Sequence, residues 1–180
     1  MNQTQIKVAL ITGGGTGIGR SAAIALQNDN YNVIVCGRRK EQLEETASVG
    51  ATDKPKIHAI AADVTDSSSV KSVFAEVEKN YGRLDVLFNN AGMGAPRVEL
   101  DELSEEAWRQ CVDVNLTGSF LCAQAAFKIM KSQSPQGGRI INNGSISAHS
   151  PRPNTIAYTA TKHAITGMTK TIALDGRPYS

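Results

Sequence analysis

Short aliphatic and β-branched runs alternate along this chain with longer stretches whose apolar positions recur every three or four residues. The short runs cover residues 6–11 (IKVALI), 31–36 (YNVIVC), 56–62 (KIHAIAA), 84–90 (LDVLFNN) and 138–144 (GRIINNG). They are apolar at consecutive rather than alternate positions, which is the pattern of strands covered on both faces. Helices are predicted from about Gly17 to Asn28, through residues 40–49 and 68–82, from near Ser104, through 118–131 and through 157–174. Strands buried on both sides and separated by helices call for a parallel sheet between two helical layers, a doubly wound α/β fold of three-layer αβα type. Residues 132–138 (SQSPQGG) and 149–154 (HSPRPN) carry the best loop signals, and neither marks a domain boundary because the rhythm resumes after each.

Composition narrows the setting. The chain has 180 residues, enough for one sizeable core, and its 41% hydrophobic and 20% charged content is that of a soluble globular protein. A net charge of +2 with scattered basic residues gives no support for a nucleic-acid partner. No apolar run approaches the roughly eighteen residues of a membrane span, and residues 1–15 enter a strand pattern without a leader-like apolar region, so no membrane association and a cytoplasmic location are expected. Cys36, Cys111 and Cys122 form no CxxC pair; they read as small buried hydrophobes in a reducing compartment, with no metal site.

The chemistry begins at residues 12–19, TGGGTGIG, which follow the first strand directly and open the first helix. In open sheets of this kind that turn binds the phosphates of a nucleotide, because glycines allow a tight turn and close backbone approach while the helix N-terminus favours an anion. Gly13, Gly15, Thr16, Gly17, Ile18 and Gly19 are therefore cofactor-binding candidates. No Gly-Lys-Ser/Thr follows, which excludes a P-loop. After the second strand an NAD-binding protein places an acid against the ribose 2′-hydroxyl; here residues 36–40 read CGRRK, with Gly37 in the acid's place and Arg38 next. A guanidinium can hold a 2′-phosphate in a bidentate pair, so NADP(H) is favoured and NAD(H) stays open.

The spacing Thr-Gly-x-x-x-Gly-x-Gly resembles the short-chain dehydrogenase/reductase (SDR) family in its classical form, and so do NNAG at 89–92, Asn115, Ser145 and YTATK at 158–162, in the same order over essentially the whole chain. The resemblance implies a Rossmann fold binding a nicotinamide dinucleotide. It implies that Ile18 offers its backbone to the pyrophosphate, that Asp63 and Val64 flank the adenine, and that Asn90, Ala91 and Gly92 line the ribose and pyrophosphate. Without it, Asp63 would be read as a cap for the following helix and NNAG as a strand-ending turn. Thr16 stands where many NADP-dependent relatives carry a basic residue.

The resemblance also implies a catalytic set of Asn115, Ser145, Tyr158 and Lys162. Tyr158 and Lys162 lie one helical turn apart on one face. A free phenol holds its proton tightly near neutrality, but a lysine cation and the positive ring of an oxidised nicotinamide both favour phenolate. Tyr158 then serves as general acid towards a ketone or general base towards an alcohol. Ser145 is expected to hydrogen-bond the substrate oxygen, Lys162 to hold the nicotinamide ribose as well, and Asn115 to hold a water that carries protons from Lys162.

Two departures stand out. NNGS at 142–145 replaces a common Ser-Ser, leaving one hydroxyl at the catalytic place, and the sequence ends at LDGRPYS, where the family continues with a strand, a substrate loop and a final strand. Residues 1–180 thus read as a single dinucleotide-binding domain without that C-terminal part, and the natural chain is expected to run on. The leading function is an oxidoreductase for a small carbonyl or alcohol substrate. A nucleotide-binding module without turnover is the alternative, and an epimerase or dehydratase of the extended branch is disfavoured by the glycine spacing. Met93, Gly94, Ser147 and His149 are expected to line the substrate pocket. Ala157, Ala164, Ile165, Met168 and Ile172 give the last helix more apolar surface than its own sheet needs, so a homodimer or homotetramer built on the helices containing residues 118–131 and 157–174 is expected.

Overall fold

The computed structural model describes residues 5–179; residues 1–4 of the amino-terminal stretch considered above, and Ser180, lie outside them. Five strands, β1 (Val8–Thr12), β2 (Asn32–Gly37), β3 (Ile57–Ala61), β4 (Val86–Asn89) and β5 (Arg139–Asn142), form one sheet in the order β3-β2-β1-β4-β5. Every pairing is parallel. The helices are α1 (Gly17–Asn28), α2 (Lys40–Ser48), α3 (Ser67–Tyr81), α4 (Glu105–Val112), α5 (Gly118–Ser132) and α6 (Ile156–Gly176). The strand order reverses between β1 and β4, and open parallel sheets bind ligands at the carboxyl ends on either side of such a reversal.

The consecutive apolar residues are explained by two cores. Val8 and Leu10 of β1 face one side with Ile34 and Leu87, packed against Val73, Phe74 and Val77 of α3 and Ala126 and Ile129 of α5. Ala9 and Ile11 face the other with Val33 and Val35, under Ala23 of α1 and Leu43 of α2. Because side chains alternate across a strand, a sheet filled on both faces needs an apolar residue at every step, and β1 is buried throughout. β5 is shorter than the predicted 138–144 and half-exposed; it pairs with β4 alone among the described residues.

The helix ends have identifiable chemistry. Asp66 caps α3 by accepting from the amides of Ser68 and Ser69, and Ser104 caps α4 by accepting from Ala107. α4 and α5, expected as separate helices, instead form one continuous run joined by a π-helical turn over Asp113–Thr117. The cysteines are all buried, and burial pushes the Cys122 thiol up to about 12. Among the described residues no helix is long and apolar enough to cross a membrane, and no group of three or more side chains could hold a metal ion.

Candidate active site

The glycine-rich turn after β1 is held from two sides. Gly13 adopts φ +65°, and a Cβ there would stand 3.0 Å from Ala91 Cα; a Cβ on Gly19 would lie 2.3 Å from the Gly13 carbonyl oxygen. Only glycine fits both places. On the α2 side the buried Thr46 hydroxyl lies 3.0 and 3.2 Å from the carbonyl oxygens of Gly14 and Gly15, and Arg20 donates to Gly15 O at 2.7 Å while pairing with Glu45. On the β4 side Asn90 donates its side-chain amide to the carbonyls of Thr12 and Gly13, and Thr12 Oγ1 accepts from the amides of Asn90 and Ala91. The first turn of α1 contains no acidic residue, so its positive end is left for an external anion.

A pocket opens at the carboxyl ends of the central strands. Gly13, Gly15 and Thr16 line it, together with Arg38, Asp63, Val64, Ala91 and Gly92, so most of the predicted cofactor residues are brought together. Gly17, Ile18, Gly19 and Asn90 do not line it; Ile18 is 64% exposed at the start of α1, and Asn90 braces the turn from behind. Arg38 is exposed and pairs with no carboxylate among the described residues. Asp63 does not cap α3, a role that belongs to Asp66; its carboxylate accepts from the amide and hydroxyl of Thr65. Gln42, absent from the sequence-based set, also lines the pocket, and its buried Oε1 has no hydrogen-bond partner. That oxygen is an acceptor and calls for a donor; the glycine turn and the arginines Arg38 and Arg39 in the wall are what suit an anionic ligand. The sequence signal for Gln42 is its position in the first turn of α2, just after β2.

Beside this pocket lie the other candidates. Lys162 is 6% exposed; its ammonium donates to the carbonyl oxygen of Asn143 at 2.7 Å and lies 5.5 Å from the centroid of the Tyr158 ring. Burial pushes the Lys162 pKa below the ordinary lysine value. Asn115 sits in the π turn and is 1% exposed. Its amide accepts from Met93 N at 2.8 Å and donates to Met93 O at 2.9 Å and Thr161 Oγ1 at 3.2 Å, so its side chain fastens the segment after β4 to α6. Ser145 Oγ accepts from the Ser147 amide, which leaves its own proton free to donate.

The substrate-side expectations need correction. Tyr158 lines a cleft of about 220 Å³ with Gly94 and Ser147, whereas Met93 lines the pocket beside the glycine turn and the exposed His149 lines neither. Arg97, Arg152 and Thr155 complete much of the wall. Ala157 and Ile165, read above as surplus apolar surface, are 1% and 3% exposed and belong to the chain's own core.

Comparison with known proteins agrees with this fold. The family model described as short chain dehydrogenase matches residues 7–180. A 3beta-hydroxysteroid dehydrogenase of Mediterraneibacter gnavus is 35% identical over 175 residues, which are 97% of this chain and 62% of that protein, so the chain spans less than two thirds of that relative. The crystal structure of a 3-ketoacyl-(acyl-carrier-protein) reductase from Brucella melitensis complexed with NADH superposes with a TM-score of 0.90 at 30% identity, covering 96% of this chain and 71% of that one. A metagenomic short-chain oxidoreductase in complex with NADP gives a TM-score of 0.90 at 28% identity, covering 96% and 77%.

Proposed function

Because the chain belongs to the short-chain dehydrogenase family, we propose that it serves an oxidoreductase that interconverts a small carbonyl compound and its alcohol, using NADP(H). The observation that carries this is the contact between Lys162 and Tyr158 beside a pocket suited to a dinucleotide. The nicotinamide, when bound, supplies the hydride to the carbonyl carbon, or takes it back from the alcohol. Tyr158 delivers the matching proton to the carbonyl oxygen, so one carbonyl becomes one alcohol as one reduced cofactor is oxidised. The Lys162 ammonium stabilises the phenolate left behind, and its lowered pKa makes it a ready source of the replacement proton. Ser145, with a free O–H, orients the substrate oxygen. Asn115, whose side chain ties Met93 to Thr161 next to Lys162, is the residue that the family resemblance makes the holder of a water returning protons to Lys162.

The preference for NADP(H) rests on Arg38, an unpaired guanidinium at the pocket, and on Gly37 where a carboxylate would repel a 2′-phosphate. Neighbours with NADH and with NADP are both known, so NAD(H) is the competing cofactor. Phe120 on α5 and Leu174 on α6, 48% and 55% exposed, support a homodimer or homotetramer through these helices in a cytoplasmic protein. Titration of the natural full-length protein with NADPH and NADH, followed by a panel of carbonyl compounds, tests the reading. Failure to bind either nucleotide would refute it.

A further inference from the structure

The cleft beside Tyr158 is basic on a scale that proton transfer does not require. Arg97 reaches it from the segment after β4 and Arg152 from the loop before α6, and no Asp or Glu lines its wall. Neither arginine pairs with a carboxylate among the described residues. The Arg152 loop is tied in place: Thr155 Oγ1 donates to the Arg152 carbonyl at 2.7 Å and lies 3.0 Å from Thr159 Oγ1, within the first turn of α6. α6 starts at this cleft without a side-chain cap and without an acidic residue in its first turn, so its positive end adds to the field. The rest of the wall is made of Gly94, Ala95, Ser147, Thr155 and Tyr158 itself.

Two exposed arginines lining one small cleft suit an oxyanion group, which each guanidinium can grip with paired N–H donors. We propose that the substrate handled by Tyr158 is an anionic carbonyl compound, or the corresponding alcohol, whose carboxylate or phosphate is held by Arg97 and Arg152. The inference rests on the oxidoreductase reading above, and it adds the substrate class. The oxyanion anchors one end of the molecule so that its carbonyl oxygen meets the Tyr158 phenol.

The test uses the natural full-length protein with bound cofactor and matched substrates: acetoacetate against its methyl ester, and dihydroxyacetone phosphate against dihydroxyacetone. The acid or the phosphate ester is expected to exceed its neutral partner in kcat/KM by about tenfold or more, and whichever pair shows the gap identifies the oxyanion. Arg97→Met and Arg152→Met should each raise KM for the charged substrate far more than for its neutral partner and so close most of that gap, and Arg152→Lys should restore part of it. Inorganic phosphate should compete in the starting protein and not in the double arginine variant. A second measurement does not depend on turnover: calorimetric binding of acetoacetate and of dihydroxyacetone phosphate to Tyr158→Phe, which should persist for the favoured anion and vanish when both arginines are replaced. Equal turnover of charged and neutral partners, or equal loss of both in the arginine variants, overturns the anion site and leaves the oxidoreductase reading standing. Arginine-dependent binding without turnover of any carbonyl compound overturns that reading and leaves the anion site. Absence of both overturns both.

Discussion

Asn143 donates its side-chain amide to Asn90 Oδ1 at 3.0 Å. Asn90 in turn holds the carbonyls of Thr12 and Gly13, and the Asn143 carbonyl takes the ammonium of Lys162 at 2.7 Å. One hydrogen-bonded path therefore runs from the glycine turn to the lysine beside Tyr158, and the two asparagines are its middle. Asn143→Leu keeps the main-chain acceptor for Lys162 but strands the Asn90 oxygen. A loss of about 0.5–1.5 kcal/mol is expected, the net worth of one part-buried hydrogen bond. Urea denaturation and cofactor titration should both register it, and unchanged values in both would show that the path carries no energy.

Tyr158→Phe removes the proton donor and nothing that touches the glycine turn. Turnover should fall by about two to four orders of magnitude, the usual worth of a positioned acid or base. Cofactor affinity should stay within a factor of two or so, since the phenol contributes no charge to the site. Stopped-flow turnover and fluorescence titration separate the two effects.

Lys162 gives a pH dependence of definite sign. Burial lowers its folded-state pKa below the ordinary 10.5. Below the folded value both states are protonated and the native state carries the whole cost of burying the charge. As pH rises from the folded value towards 10.5, the native state has already released a proton that the unfolded chain retains, and stability rises. The cofactor-free protein should therefore gain stability relative to Lys162→Met as pH climbs through that window. Chemical denaturation at several pH values would show a flat or opposite difference if the ammonium were in effect solvated.

Arg38→Asp replaces an unpaired cation at the nucleotide pocket with an anion. Losing a charge-assisted contact costs about 1.5–3 kcal/mol, so NADPH should weaken by more than tenfold while NADH holds or improves. Equal NADPH and NADH affinities in the starting protein would remove Arg38 as the selector.

Gly17 and Gly19 should respond differently to alanine. At Gly17 φ is +53° with open space around a Cβ, so the cost is backbone strain of about 1 kcal/mol. At Gly19 a Cβ would lie 2.3 Å from Gly13 O and 2.7 Å from Asn90 Nδ2, which forces the turn and its brace apart. Gly19→Ala should lose more stability than Gly17→Ala and also lose nucleotide binding. Thermal melts with and without NADPH make the comparison.

The strands, the glycine turn and Arg38 were legible in the sequence because they depend on near neighbours. A strand filled on both faces must be apolar at each step, as Val8–Ile11 are, and a turn that admits no Cβ must be glycine, as at Gly13 and Gly19. Arg38 was readable because it follows β2 directly. Other features were decided only when distant segments met. The π turn at Asp113–Thr117 has no local signature; it goes with the bonds that Asn115 makes to Met93 and Thr161, partners from two other segments. Asp63 and Asp66 stand near the same helix start, and only backbone geometry gave the cap to Asp66. Arg97 and Arg152 lie in loops with no pattern of their own, and the fold brings both to Tyr158. Periodicity records which face of an element is dry, whereas the meeting of polar side chains across the fold is a property of the packed chain.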